Sequence, residues 1–108
     1  MAIKLPRIIK KYVDASNEHD AASILACFAD DALVRDEREE HRGKKAIEGR
    51  IVKTIEKYKF KFKPLASKDD GVEVVVAVEV SGTFDGSPVT LDYHFTINNG
   101  TILCLTID

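Results

Sequence analysis

The chain has 108 residues, of which 44% are hydrophobic and 31% charged, and its formal net charge is -2. That length supplies one hydrophobic core and not two, so a single domain over residues 1–108 is expected, and the composition excludes a disordered or disulfide-stapled chain. The near-balanced charge disfavours nucleic acid as a partner, and the opening "MAIKLPRIIKKYV" has its apolar residues interrupted by Lys4, Arg7, Lys10 and Lys11, which predicts no signal peptide, no membrane span and a cytoplasmic location.

Pro6 suits an early helical position, and Ile9, Tyr12, Val13 and Ser16 recur at three- and four-residue steps behind it. These residues predict an amphipathic helix that ends between Asn17 and His19. Asp20 then caps a short second helix, "AASILACF", with Ile24, Leu25 and Phe28 as its buried stripe, and Asp30 and Asp31 read as turn residues. In the stretch that follows, Ala32, Val34 and Asp36 fall on alternate positions. A strand here carries a carboxylate on the face that points into the core. The rest of "RDEREEHR" reads as a solvated mixed-charge run, with His41 in a loop.

In "GKKAIEGRIVKTIEKY", Ile47, Ile51, Ile55 and Tyr58 mark a third amphipathic helix, weakened slightly by Gly49. The remainder reads as strands cut by the turns "DDG", "DGS" and "NNG". Phe60 and Phe62 alternate with Lys59, Lys61 and Lys63; Val72, Val74, Val76, Val78 and Val80 share a face opposite Glu73 and Glu79; Val89, Leu91, Tyr93, Phe95 and Ile97 oppose Thr90, Asp92, His94 and Thr96. Four antiparallel strands in a meander result, and the fold class is α+β. Strands of this length coil. A curved antiparallel sheet wrapped around three helices from the N-terminal half makes a cone, with a cavity at its wide end. Val75 and Ala77, on the outer face, predict that part of this face is covered in a homodimer.

Cys27 and Cys104 lie far apart and read as buried, reduced thiols, while His19, His41 and His94 share no ligand spacing. No metal and no other cofactor is expected.

The segment "KKYVDASNEHDAASILACFADDALVRD", residues 10–36, resembles the opening of the ketosteroid isomerases, and "DYHFTINNGTI", residues 92–102, is similar to a late strand pair of the same proteins. With the order of elements, these stretches resemble the nuclear transport factor 2-like superfamily, which includes SnoaL-like polyketide cyclases. The resemblance implies a cystatin-like cone, a small apolar ligand and residue roles. Asp36 matches a general base, and Tyr12 matches a tyrosine that donates a hydrogen bond to the substrate oxygen. Where the isomerases carry a protonated aspartic acid in the late strand, this chain has Tyr93; Asp92, one residue away, faces the other side. The implied chemistry is proton abstraction next to a carbonyl by Asp36, with Tyr12 and Tyr93 holding the enolate. Val34, Tyr58, Phe60, Phe62 and Phe95 are the expected ligand wall, and burial among them disfavours the charged form of Asp36 and strengthens it as a base. Asp36 is expected within hydrogen-bond range of a phenol. The same cone also suits a non-catalytic binding domain or a dimeric interaction module.

Overall fold

Three helices cover one face of a six-stranded, unclosed sheet in the computed structural model, which describes residues 5–36 and 38–108. Lys4 and Glu37, both part of charged stretches read above, lie outside the described residues. Among the described residues no helix is long and apolar enough to cross a membrane.

Helix α1, Arg7–Asn17, starts directly after Pro6 and buries Ile9, Tyr12, Val13, Ala15 and Ser16. Helix α2, Ala21–Ala26, is capped by Asp20, whose carboxylate accepts from the Ser23 backbone N–H at 3.2 Å and from its hydroxyl at 2.8 Å. These bonds satisfy groups that the first turn of a helix leaves open. Strand β1, Phe28–Asp36, follows at once. Phe28 therefore belongs to the strand and not to the helix, and Asp30 and Asp31 lie within β1 rather than in a turn. A register shift between Phe28 and Leu33 lets the strand carry these two acids past its partner.

Strand β2, Glu39–Arg42, was not expected; it pairs antiparallel with β1, placing Val34 opposite His41. His41 is thus in a strand and not in a loop. Helix α3, Lys44–Tyr58, buries Ile47 and Ile51. Its C-terminus turns through Lys59 in the left-handed region, with φ of 46°. The meander then runs as expected through β3, Lys61–Asp69, β4, Val74–Ser81, β5, Val89–Asn98, and β6, Thr101–Ile107.

The sheet order is β2-β1-β6-β5-β4-β3. Strand β6 closes the order by pairing parallel with β1, Val34 beside Leu105, while the other neighbours are antiparallel. Register places Tyr93 between Val76 and Ile107, and Phe95 between Val74 and Leu105. All six residues are buried and point to the helices. Val72 departs from the face assigned to it: it is 81% exposed, because the Asp70 carboxylate accepts from the N–H groups of Val72 and Glu73, each at 2.9 Å, and delays the start of β4. Cys27 is buried and Cys104 only half-buried, and both are free thiols.

The end of α1 is fastened to the start of β3 by one side chain. Asn17 accepts from the Phe62 N–H at 2.7 Å and donates to the Phe62 carbonyl at 3.0 Å, as a neighbouring strand would. His19 Nε2 donates to the Phe60 carbonyl at 2.6 Å, and the Lys61 ammonium donates to the Asn17 carbonyl at 3.0 Å. These contacts hold Phe60 and Phe62 beside α1, at the wide end of the cone.

Candidate functional site

Between α1, α3 and the inner face of the meander lies a cavity of about 410 Å³. Its wall is largely apolar, with Phe60 and Phe62 stacked at 4.8 Å on one side and Val80, Val89 and Leu91 on the sheet. Tyr58 and Phe84, whose rings meet edge to face at 5.8 Å, form part of the rim together with Asp85. The turn carrying Phe84 is drawn onto the end of α3: the Thr83 N–H donates to the Tyr58 carbonyl at 2.8 Å. Gly82 makes this approach possible, since a Cβ there would stand 2.5 Å from the Tyr58 oxygen.

Among the polar side chains of this wall are Tyr12 from α1, Asp36 from the end of β1, Arg50 from α3 and Tyr93 from the middle of β5. Asp36 continues the inward face of Ala32 and Val34, both fully buried, and reaches the cavity because the strand ends there. The hydrogen bond it makes among the described residues goes to Arg50, at 2.5 Å, and not to a phenol. Sequence reasoning missed Arg50. It occupies the inward stripe of α3, three residues after Ile47 and one before Ile51, and continues as Thr54 and Tyr58 along the cavity. The apolar surroundings expected for Asp36 thus include a cation.

Tyr12 and Tyr93 are each only 4% exposed. Burial pushes the Tyr12 phenol up to about 12; Asp36 and Cys27 push in the same direction, while Arg50 and the nearby Ser16 hydroxyl oppose them. Burial likewise holds Tyr93 well above the ordinary phenol value, helped by Tyr12 and Asp36 and opposed by Arg50. Both phenols therefore keep their protons across the neutral range and are donors. For Arg50, burial works against the charge, but Tyr12, the hydrogen bond and charge of Asp36, and Tyr93 outweigh it and raise its pKa above the usual value. Tyr12, Tyr93 and Arg50 each feel the charge of Asp36 or of one another, and all four side chains line one cavity.

Of the expected ligand wall, Tyr58, Phe60 and Phe62 line the cavity. Val34 and Phe95 do not; they are core residues, 0% and 1% exposed. Each lies two residues along its strand from a residue that does line it, Asp36 and Tyr93, and two residues shift a side chain by ~7 Å towards the closed end of the cone. Phe95 there packs edge to face with Tyr12 at 5.6 Å and supports the ring from below. Asp92 is exposed on the outer face, as its offset implied.

A family model described as "SnoaL-like domain" matches residues 9–103. Among solved structures, a Sinorhizobium meliloti protein provisionally named a polyketide cyclase is 41% identical, with a TM-score of 0.93, covering 96% of this chain and 95% of that one. A Catenulispora acidiphila protein with a ketosteroid isomerase-like fold, solved with trimethylamine, is 15% identical with a TM-score of 0.84, covering 97% of this chain and 86% of that one. A Novosphingobium aromaticivorans protein of cystatin fold is 16% identical with a TM-score of 0.79, covering 94% of each chain. At such low identity the last two show the fold alone. No curated protein matches the sequence.

Proposed function

The chain belongs to the SnoaL-like domain family, and on that premise we propose that its cone binds a small, neutral, mainly apolar carbonyl compound and moves a proton on it. Asp36 is the general base, and Tyr12 and Tyr93 donate to the carbonyl oxygen. The base takes a proton from the carbon next to the carbonyl; the C–H electron pair forms the enolate double bond, and the carbonyl π pair moves onto oxygen, where the phenols meet it. Return of the proton to a different carbon gives an isomerase. Attack of the enolate carbon on a second carbonyl of the same molecule gives a cyclase, the reading favoured by the name of the Sinorhizobium meliloti relative. Neither outcome consumes a cofactor, since the proton leaves and returns through Asp36.

One observation carries this reading. In a cavity of about 410 Å³ with a mainly apolar wall, the Asp36 carboxylate, held by Arg50, lines the same space as the Tyr12 and Tyr93 phenols, whose protons burial keeps in place. A pocket of this size and chemistry suits a small molecule with a single polar end. Asp85 on the rim adds a negative charge that repels acids, which supports a neutral ligand.

The test is proton exchange. A panel of neutral cyclic enones and 1,3-diketones, incubated with the protein in deuterium oxide, is expected to take up deuterium at the α-carbon. The rate should fall by about 10²–10⁴-fold in Asp36→Asn, the usual contribution of a general base. Uptake by no compound, or uptake that Asp36→Asn leaves intact, rejects the assignment. The Arg50 bond to Asp36 favours a second reading, in which the pair orients a ligand that undergoes no reaction; binding without exchange selects it.

A further inference from the structure

Arg50 is a cation inside a small apolar cavity, and its one hydrogen bond among the described residues uses one of the five N–H groups that a guanidinium carries. Arg50 lines the same cavity as Tyr12 and Tyr93, and its charge is felt at both phenols. We propose that Arg50 is a further catalytic residue, which neutralises Asp36 in the resting site and the enolate oxygen of the substrate after proton transfer. The proposal rests on the reading of Asp36 as a base for a carbonyl compound.

In the resting site the cation faces one carboxylate. When a neutral substrate gives its proton to Asp36, the carboxylate becomes a neutral acid and the negative charge moves to the enolate oxygen. Were Arg50 elsewhere, the step would create a new charge in a low-dielectric cavity; with Arg50 between the two positions, one anion replaces another beside the same guanidinium. The planar fork fits this exchange, because separate N–H groups can face the carboxylate and the substrate oxygen at once. The total charge of the site is the same before and after. A free carboxylic acid would compete with Asp36 for the guanidinium and meet Asp85 at the rim, so the arrangement selects substrates that enter neutral and become anionic only in the reaction.

The experiment uses 4-nitrophenol, whose ionised form resembles an enolate and absorbs separately from the neutral form, and 4-nitroanisole, which cannot ionise. Asp36→Asn removes the competing negative charge and leaves the Arg50 charge facing only a neutral amide; Asp36→Asn/Arg50→Met removes both charges, so no buried charge is left without a partner. The single variant is expected to bind 4-nitrophenolate on the order of tenfold to a hundredfold more tightly than the double variant, the range for a hydrogen bond to a charged group. 4-Nitroanisole should bind both variants alike. Equal affinity of the two variants for the phenolate overturns the role of Arg50, even if the wild type exchanges α-protons. The converse result, an Arg50-dependent phenolate preference in a protein that exchanges no α-proton, overturns the base reading of Asp36 and with it the catalytic role, leaving Arg50 as an anion-binding group. Asp36→Asn/Arg50→Gln is the substitute if the methionine variant does not fold, as judged by circular dichroism, and the same comparison decides.

Discussion

Replacement of Arg50 by methionine keeps a long apolar stem on α3 and takes the cation from Asp36. The size of the effect follows from how far the pair is removed from water: the Arg50 side chain is 15% exposed and that of Asp36 22%, with the atoms 2.5 Å apart. Breaking a fully buried pair from one side costs about 3–5 kcal/mol. Here a cavity that admits water lies against both groups, and the smaller range for a hydrogen bond to a charged group, ~1.5–3 kcal/mol, applies. Arg50→Met should therefore destabilise the fold by about 2 kcal/mol at pH 7, a fall in Tm of roughly 10 °C for a domain of this size. Asp36→Asn should cost less, about 1 kcal/mol, because the amide oxygen can still accept from the guanidinium. The double variant Asp36→Asn/Arg50→Met should lie within about 1 kcal/mol of the wild type, since no unpaired charge remains. Urea denaturation followed by circular dichroism measures all four proteins, and equal slopes against urea would show that the denatured states are comparable. Single changes that each cost under ~0.5 kcal/mol, or a double change equal to their sum, would mean that the two charges are solvated independently.

Gly82→Ala forces the new Cβ against the Tyr58 carbonyl at 2.5 Å and the Phe60 Cα at 3.2 Å; a loss of about 1–3 kcal/mol in urea is expected, and unchanged stability would show that the rim turn moves freely from α3. His94 lies between Glu73 at 3.1 Å and Asp108 at 3.0 Å on the outer face. The hydrogen bond to Glu73 raises its pKa most, burial opposes, and the charges of Glu73 and Asp108 add to the rise. A raised folded-state value means that the protonated ring stabilises the fold below the unfolded value of about 6.5 and that this support is lost as pH climbs through the folded value. His94→Gln should thus cost up to ~1 kcal/mol at pH 5, limited by solvent screening, and nothing at pH 9; an equal cost at both would exclude the ion pairs as its source. We also propose that the outer sheet face around Val75 and Ala77, both half-buried in the single chain, joins two copies: sedimentation at micromolar concentration should give a dimer that Val75→Lys dissociates, and a wild-type monomer would rule this out.

Much of this architecture is legible in the sequence because it is written in hydrophobic periodicity. The stripes of α1 and α3 and the alternation in β4 and β5 appear as read, and so does the inward direction of Asp36. What failed has identifiable causes. Strand β2, "EEHR", pairs only at the edge and buries neither face fully, so it leaves no apolar alternation to detect. Val34 and Phe95 were placed on the correct face but at the wrong depth, since a two-residue period tells inside from outside and not distance from the mouth of a cone. Phe84 and Asp85 reach the cavity through a turn folded onto α3, a long-range contact that no local pattern encodes. Arg50 was available to inspection: residues 47, 50, 51, 54 and 58 are one helical face, and an arginine on an otherwise inward stripe is a cation that needs a buried partner.

The most direct test of the central claim, that Tyr12 and Tyr93 present their protons to a carbonyl oxygen inside the cone, is the carbonyl 13C resonance of a bound, labelled cyclohexenone. Two phenol donors should polarise the carbonyl and move the resonance downfield on binding, with part of the shift lost in Tyr12→Phe and part in Tyr93→Phe. A ketone that binds with its carbonyl resonance where it stands in water, or with a shift indifferent to both substitutions, would contradict the account.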